Sequence, residues 1–190
     1  LLNSNLVYML YKILQELLRI SQPPYRMKHL SWNCDADNTF GGVTIQQSWM
    51  ALYMLEKFIC ETKPNVIIEL GTGYGALTSF FRMHARTLTY DIKNIPSRNV
   101  FDLDVFEEIK ANTEGARMHV LFFCDDCNKP AELWKYWPLG KRSDHILVHD
   151  WKRPGGIWPK DLIRLKGRSK YRQDEFDSLK TCILSLVRKA

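Results

Sequence analysis

Residues 66–75 read Val66-Ile67-Ile68-Glu69-Leu70-Gly71-Thr72-Gly73-Tyr74-Gly75, and this stretch decides the fold. A β-branched apolar run leads into glycines at alternate positions, and an apolar segment with helical spacing follows at 76–84. Glycine reaches positive φ without strain and lets a ligand approach the backbone closely. A strand that runs into a Gly-rich turn and then a helix is how a parallel α/β sheet builds a nucleotide-binding crevice. A dinucleotide site spaces its glycines G-x-G-x-x-G, to seat a pyrophosphate on the helix N-terminus. Here the third glycine comes one residue earlier. Glu69 also places a carboxylate at the expected mouth of the crevice, where a pyrophosphate would be repelled.

Strand and helix patterns alternate outward from this turn. Strands are expected at 66–70, 88–92, 100–105, 118–124 and 145–148, and helices at 76–84, 106–112 and 129–136. The strands are continuous apolar runs, as in strands buried on both faces of a parallel sheet. The fold class is therefore α/β, a Rossmann-like doubly wound, mostly parallel sheet with helices on both faces. Upstream, Leu6, Leu10, Ile13, Leu14 and Leu17 recur at helical steps over 6–20, and Pro23-Pro24 stops them. Residues 25–42 read as a loop able to cover a site, and 45–61 as a second helix. The division is an N-terminal segment, 1–62, packed on a sheet domain, 63–190. Beyond Trp151 the pattern weakens: 159–165 and 175–188 look helical, and no sixth or seventh strand is evident.

With 190 residues and 45% hydrophobic content, the chain can bury one substantial core. No uncharged apolar run approaches the roughly 18 residues of a membrane span. The stretch 6–20 carries Lys12, Glu16 and Arg19 and does not read as a signal peptide. Five cysteines, an odd number, suit reduced thiols in a cytoplasmic protein. Cys124 and Cys127 form one C-x-x-C, but zinc needs four ligands and there is no second pair. The net charge of +6 permits an anionic partner, nucleic acid included. Basic residues gather after Trp151, among them Lys152, Arg164, Lys166, Arg168 and Lys170, and form the best candidate for an anion-facing surface. Trp151 and Trp158 flank the expected ligand face and could stack on a sugar or base.

Glu69-Leu70-Gly71-Thr72-Gly73-Tyr74-Gly75 resembles the first motif of the class I S-adenosylmethionine-dependent methyltransferases. Their cofactor carries a sulfonium and an amino group, for which a carboxylate is a suitable neighbour. The resemblance implies that Glu69, Gly71, Gly73 and Gly75 hold S-adenosylmethionine. Asp91, at the end of the second strand, is placed to accept hydrogen bonds from both ribose hydroxyls. Asp104, at the end of the third strand, matches the position that contacts the adenine amino group, with Asp102 as its competitor.

A second constellation lies at the ends of strands four and five, Asp125-Asp126 and His149-Asp150. Neighbouring parallel strands bring their C-terminal ends together on the ligand face. Carboxylates with one imidazole make a hard site for Mg²⁺ or another divalent metal, able to hold two substrate oxygens and acidify a hydroxyl. This arrangement resembles the metal-dependent sugar O-methyltransferases and the cephalosporin hydroxylase-like group. The resemblance implies metal ligands at Asp125, His149 and Asp150, with His149 and Asp150 catalytic. It implies methyl transfer to an oxygen nucleophile of a small or sugar-like acceptor. His149 departs from the Asp or Glu found there, which points to a softer ion or to a histidine general base. The alternative for this cluster is structural, with Asp125 or Asp126 capping the helix that follows. The rival functions are a nucleic-acid methyltransferase and a non-catalytic cofactor-binding module in an assembly. A nicotinamide-dependent dehydrogenase is disfavoured by the glycine spacing and Glu69.

Overall fold

The computed structural model of the chain describes residues 39–93, 98–114 and 118–189. The expected helix at 6–20 and most of the expected loop at 25–42 lie outside them. The described part begins with a hairpin of β1 (Thr39–Phe40) and β2 (Val43–Thr44). Gly41 and Gly42 turn it, both at positive φ, as the tightest hairpins require. Helix α1 (Trp49–Thr62) starts later than the expected 45, because the Ser48 hydroxyl accepts from Ala51 N–H at 3.1 Å and caps it there. It ends at Lys63, in the left-handed region, just before Pro64.

The main sheet comprises β3 (Val66–Leu70), β4 (Arg86–Tyr90), β5 (Val120–Cys124), β6 (His145–Val148), β7 (Arg168–Lys170) and β8 (Leu184–Arg188). Its order is β4-β3-β5-β6-β8-β7. The first four are mutually parallel, and β8 runs antiparallel between β6 and β7. Alternation along each strand divides the apolar residues between two cores. Ile68, Leu70 and Phe122 face α3 (Leu103–Thr113) and α4 (Lys129–Tyr136), through Val105, Ile109, Leu133 and Tyr136. Ile67, Leu121, Phe123 and Leu147 face α1, α2 (Ala76–Arg82) and α5 (Gln173–Ser178), through Leu55, Phe58, Phe81 and Phe176. Helices therefore cover both faces, as a doubly wound α/β sheet requires. The chain leaves β3 for β4 on one side and returns to β5 on the other. That reversal opens a crevice above the C-terminal ends of β3 and β5.

Four expectations fail. Residues 100–105 are not a strand. Asn99 accepts from Phe101 N–H at 2.9 Å, the chain turns, and α3 begins at Leu103. Val100 and Val105 are apolar because they pack on the sheet's face, not because they extend it. Residues 175–188 are not one helix. Lys180 and Cys182 take left-handed φ and break it, after which Leu184–Arg188 enters the sheet. That strand, Leu184-Ser185-Leu186-Val187-Arg188, lies between β6 and β7 and alternates only over its first three residues, too few to separate it from a helix by period. The sixth strand, Arg168–Lys170, is a polar edge strand with no apolar pattern to read. Of 159–165, only Pro159–Leu162 is helical, as a single 3₁₀ turn.

Candidate active site

The glycine turn and the end of β5 lean on one another. Asp125 N–H donates to Leu70 C=O at 2.7 Å, and Gly71 N–H to Tyr90 C=O at 2.7 Å. Gly71 has φ +110, and a Cβ on it would lie 2.6 Å from the Asp125 carbonyl carbon and 2.7 Å from Asp126 N. Only glycine fits there. Gly73 N–H donates to Asp91 at 3.0 Å, so the turn is tied to the end of β4 as well. The other Asp91 oxygen accepts from Lys93 N–H at 2.8 Å. Gly75, at φ +81, opens α2. A cleft of about 470 Å³ lies over this turn, lined by Gln46, Gln47, Gly71, Gly73, Asp91, Asp125 and Lys129 among others. That is within the size range of small-molecule sites.

Glu69 is not at the mouth of this cleft. It is fully buried beneath the turn, where Thr78 Oγ1 on α2 donates to Oε2 at 2.5 Å. Burial raises its carboxyl pKa to about 7. Its alternation in β3 points it toward the helix side, which a reading by motif position does not reveal. Asp104 is also displaced from its expected place. With no third strand to end, it sits exposed on the first turn of α3 and pairs with Arg98 at 3.2 Å.

Asp125, His149 and Asp150 do converge. One ligand atom of each lies within 4.8 Å of the other two. His149 Nδ1 is 2.9 Å from Asp125 Oδ1 and 3.5 Å from Asp150 Oδ1. The other Asp125 oxygen accepts from Gln47 Nε2 at 2.7 Å, which ties the start of α1 to the site. Neither Asp125 nor Asp126 caps α4, since Asn128 does so by accepting from Ala131 N–H at 3.2 Å. Asp126 instead accepts from Ile92 N–H at 2.8 Å and Cys127 N–H at 2.7 Å, joining the ends of β4 and β5.

Lys129 stands among the three candidate ligands. It is buried, with Nζ 3.0 Å from Asp150 Oδ2, 3.6 Å from Asp125 Oδ1 and 3.0 Å from the Asp126 carbonyl. Burial pulls its pKa down, but Asp125 and Asp150 more than offset this and leave it raised. Two carboxylates and an imidazole fit a divalent ion in type and spacing. Both carboxylates, however, already face an ammonium group, which an incoming ion would have to displace. The sequence motifs do not single out Lys129 as a member of this cluster. Its position on the first turn of α4, right after an acidic strand end, is the signal that could have placed it. Glu132, one turn further on, was missed altogether. It is fully buried and accepts from Asp126 N–H at 3.3 Å and Asn128 N–H at 3.2 Å. Burial, then Asp126, raise its carboxyl to about 8.

The sheet, its reversal point and the glycine turn make up a Rossmann-like α/β fold. Solved structures of CmcI share this fold at 14% sequence identity. The apo form of CmcI-N160 superposes with a TM-score of 0.62, over 89% of this chain and 85% of CmcI. CmcI-D160 with Mg and SAM gives 0.59 over the same shares, and CmcI-N160 with SAH gives 0.55 over 88% and 92%. At this identity the likeness shows the fold. No protein-family model and no curated protein matches the sequence.

Proposed function

We propose that the chain is an S-adenosylmethionine-dependent methyltransferase acting on an oxygen nucleophile of a small, sugar-like acceptor. The observation that carries this reading is the direct packing of Gly71 on the Asp125 backbone. It joins a cofactor-type glycine turn to an acid–imidazole cluster in one crevice. CmcI, which shares the fold, has been solved with SAH and with Mg and SAM. Four free cysteines among the described residues accord with a reducing, cytoplasmic setting, and no helix among those residues is long and apolar enough to cross a membrane.

S-adenosylmethionine supplies an electrophilic methyl group on a sulfonium. The protein's task is then to align an oxygen with that methyl and to hold the proton the oxygen releases. The backbone at Gly71, Gly73 and Gly75 leaves room for the cofactor, and Asp91 stands beside it for the ribose. Buried Glu69 holds the turn from behind through Thr78. Asp125, which lines the cleft, faces the acceptor and orients the buried His149 through Nδ1, and this acid–imidazole pair receives the acceptor's proton. Asp150 and Lys129 hold that imidazole's surroundings in place. A divalent ion bound by Asp125, His149 and Asp150 would acidify the acceptor hydroxyl, and it requires Lys129 to withdraw.

Titration calorimetry with S-adenosylmethionine, S-adenosylhomocysteine and NAD tests the cofactor, with the first two expected to bind and NAD not. Asp150→Ala is expected to abolish turnover while S-adenosylhomocysteine affinity stays within about threefold. Normal turnover by this variant would remove the role given to the cluster.

A further inference from the structure

Asp150 and Trp151 are consecutive, yet they serve opposite sides of one loop. Asp150 reaches Lys129 and His149. Trp151 is buried in the other direction, as the floor of a second cleft of about 480 Å³. The loop at 150–157 is rigidly specified. Asp150 and Lys152 both take left-handed φ, at +58 and +59, which non-glycine residues rarely do. Trp151 N–H donates to Cys182 C=O at 2.8 Å, and Lys152 N–H to Ile157 C=O at 2.9 Å. A Cβ on Gly156 would lie 2.0 Å from the Asp150 carbonyl oxygen, so the loop closes tightly on Asp150.

The second cleft has an apolar floor of Trp151, Leu162 and Leu186 and a rim of Lys152, Arg168 and Lys170. Among the described residues, no carboxylate lines it. Lys152 and Lys170 hold their ammonium groups 5.3 and 5.5 Å from the centroid of the Trp151 ring. Neither they nor Arg168 forms an ion pair among the described residues. The Trp151 indole N–H is buried with no acceptor in the structure. An indole nitrogen can only donate, and a buried donor left unpaired is costly. A merely solvated basic surface does not explain the apolar floor.

We propose that this cleft binds a small ligand by an anionic group, a phosphate or carboxylate, carried on a ring that lies over the apolar floor. The three cations would neutralise the anion, and the apolar floor would carry the ring. The assignment rests on the cleft alone and not on the methyltransferase reading.

The test is calorimetric titration of the full chain, saturated with S-adenosylhomocysteine, using glucose 1-phosphate, glucuronate and glucose. One of the two charged sugars is expected to bind at least tenfold more tightly than glucose, and which one identifies the anion. Lys170→Glu and Arg168→Glu should each weaken that probe at least tenfold and leave S-adenosylhomocysteine affinity unchanged. Arg142→Glu, exposed and outside the cleft, should have no effect. Equal binding of charged and neutral sugars overturns the proposal, as does an equal loss with Arg142→Glu. Displacement of the probe by an RNA oligonucleotide with steep salt dependence overturns it in favour of a polymeric anion. Probe binding that persists while S-adenosylhomocysteine fails to bind overturns the methyltransferase reading and leaves the anion site standing.

Discussion

Lys129 puts one positive charge where a divalent ion would put two. Its ammonium, 3.0 Å from Asp150 and 3.6 Å from Asp125, is mostly withdrawn from water, so its attraction to both carboxylates is weakly screened. Removing it leaves two neighbouring acids uncompensated, which disfavours the bare site and favours any cation that replaces the lysine. Lys129→Met is therefore expected to bind Mn²⁺ at least tenfold more tightly than the parent chain, read from the free-ion signal in an electron paramagnetic resonance titration. Equal affinities would mean that Lys129 does not compete for this site. Gly71 makes the complementary case for backbone. Gly71→Ala forces a Cβ to within 2.7 Å of the Asp125 and Asp126 backbones at φ +110. Strain and overpacking together predict a loss of about 2–4 kcal/mol in urea unfolding, with S-adenosylhomocysteine affinity falling in parallel. Gly71 was readable from sequence because its requirement is local. Lys129 and Glu69 were not, because their partners come from β5, the loop after β6, and α2, and only the fold brings those together.

Elements were legible where one face or both faces of a strand had a single kind of neighbour. Val66–Leu70, His145–Val148 and helix Lys129–Tyr136 fall on the expected residues. The C-terminal strands were not legible. β7 is polar because it is an edge, and β8 follows two left-handed residues that the sequence does not announce. Yet β8 matters more to the fold than its pattern suggests, since it is hydrogen-bonded to β6 on one side and β7 on the other. Leu186 projects from it into the core beside Ile146, Trp151 and Leu162 and is 1% exposed. Leu186→Ala is expected to cost about 2–4 kcal/mol by transfer and cavity terms, measured by urea denaturation. Ile163→Ala, at a site 76% exposed, should stay within about 0.5 kcal/mol. If the two variants lose equally, β8 is not the strand that closes the sheet.

At the scale of the whole molecule, buried titratable groups couple stability to pH in opposite directions. Glu69 and Glu132 are fully buried, and the fold raises their carboxyls from 4.5 to about 7 and about 8. The unfolded chain gives up both protons near pH 4.5, while the folded chain keeps them into the neutral range. Their protonated forms therefore favour the folded state fully below pH 4.5, and that advantage is lost as pH rises through 7 and 8. His145 runs the other way. Burial lowers it from 6.5 to about 4, so its contribution is present above 6.5 and lost as pH falls through 4. The cofactor-free protein should thus be most stable in mildly acidic solution. It should lose roughly 1–3 kcal/mol per carboxyl between pH 5 and pH 9, by the linkage of proton release to unfolding. Glu69→Gln tests the assignment, because glutamine keeps the shape of the protonated acid and an acceptor for Thr78 but cannot ionise. Urea midpoints of this variant should fall less steeply from pH 6 to pH 9 than those of the parent chain, with Glu132 alone left to titrate. A parallel fall in both proteins would show that Glu69 is already ionised in the folded state. A carboxylate buried beneath the glycine turn would then lean on the nearby positive charge of Arg82, and its ionised form would be the one the fold stabilises.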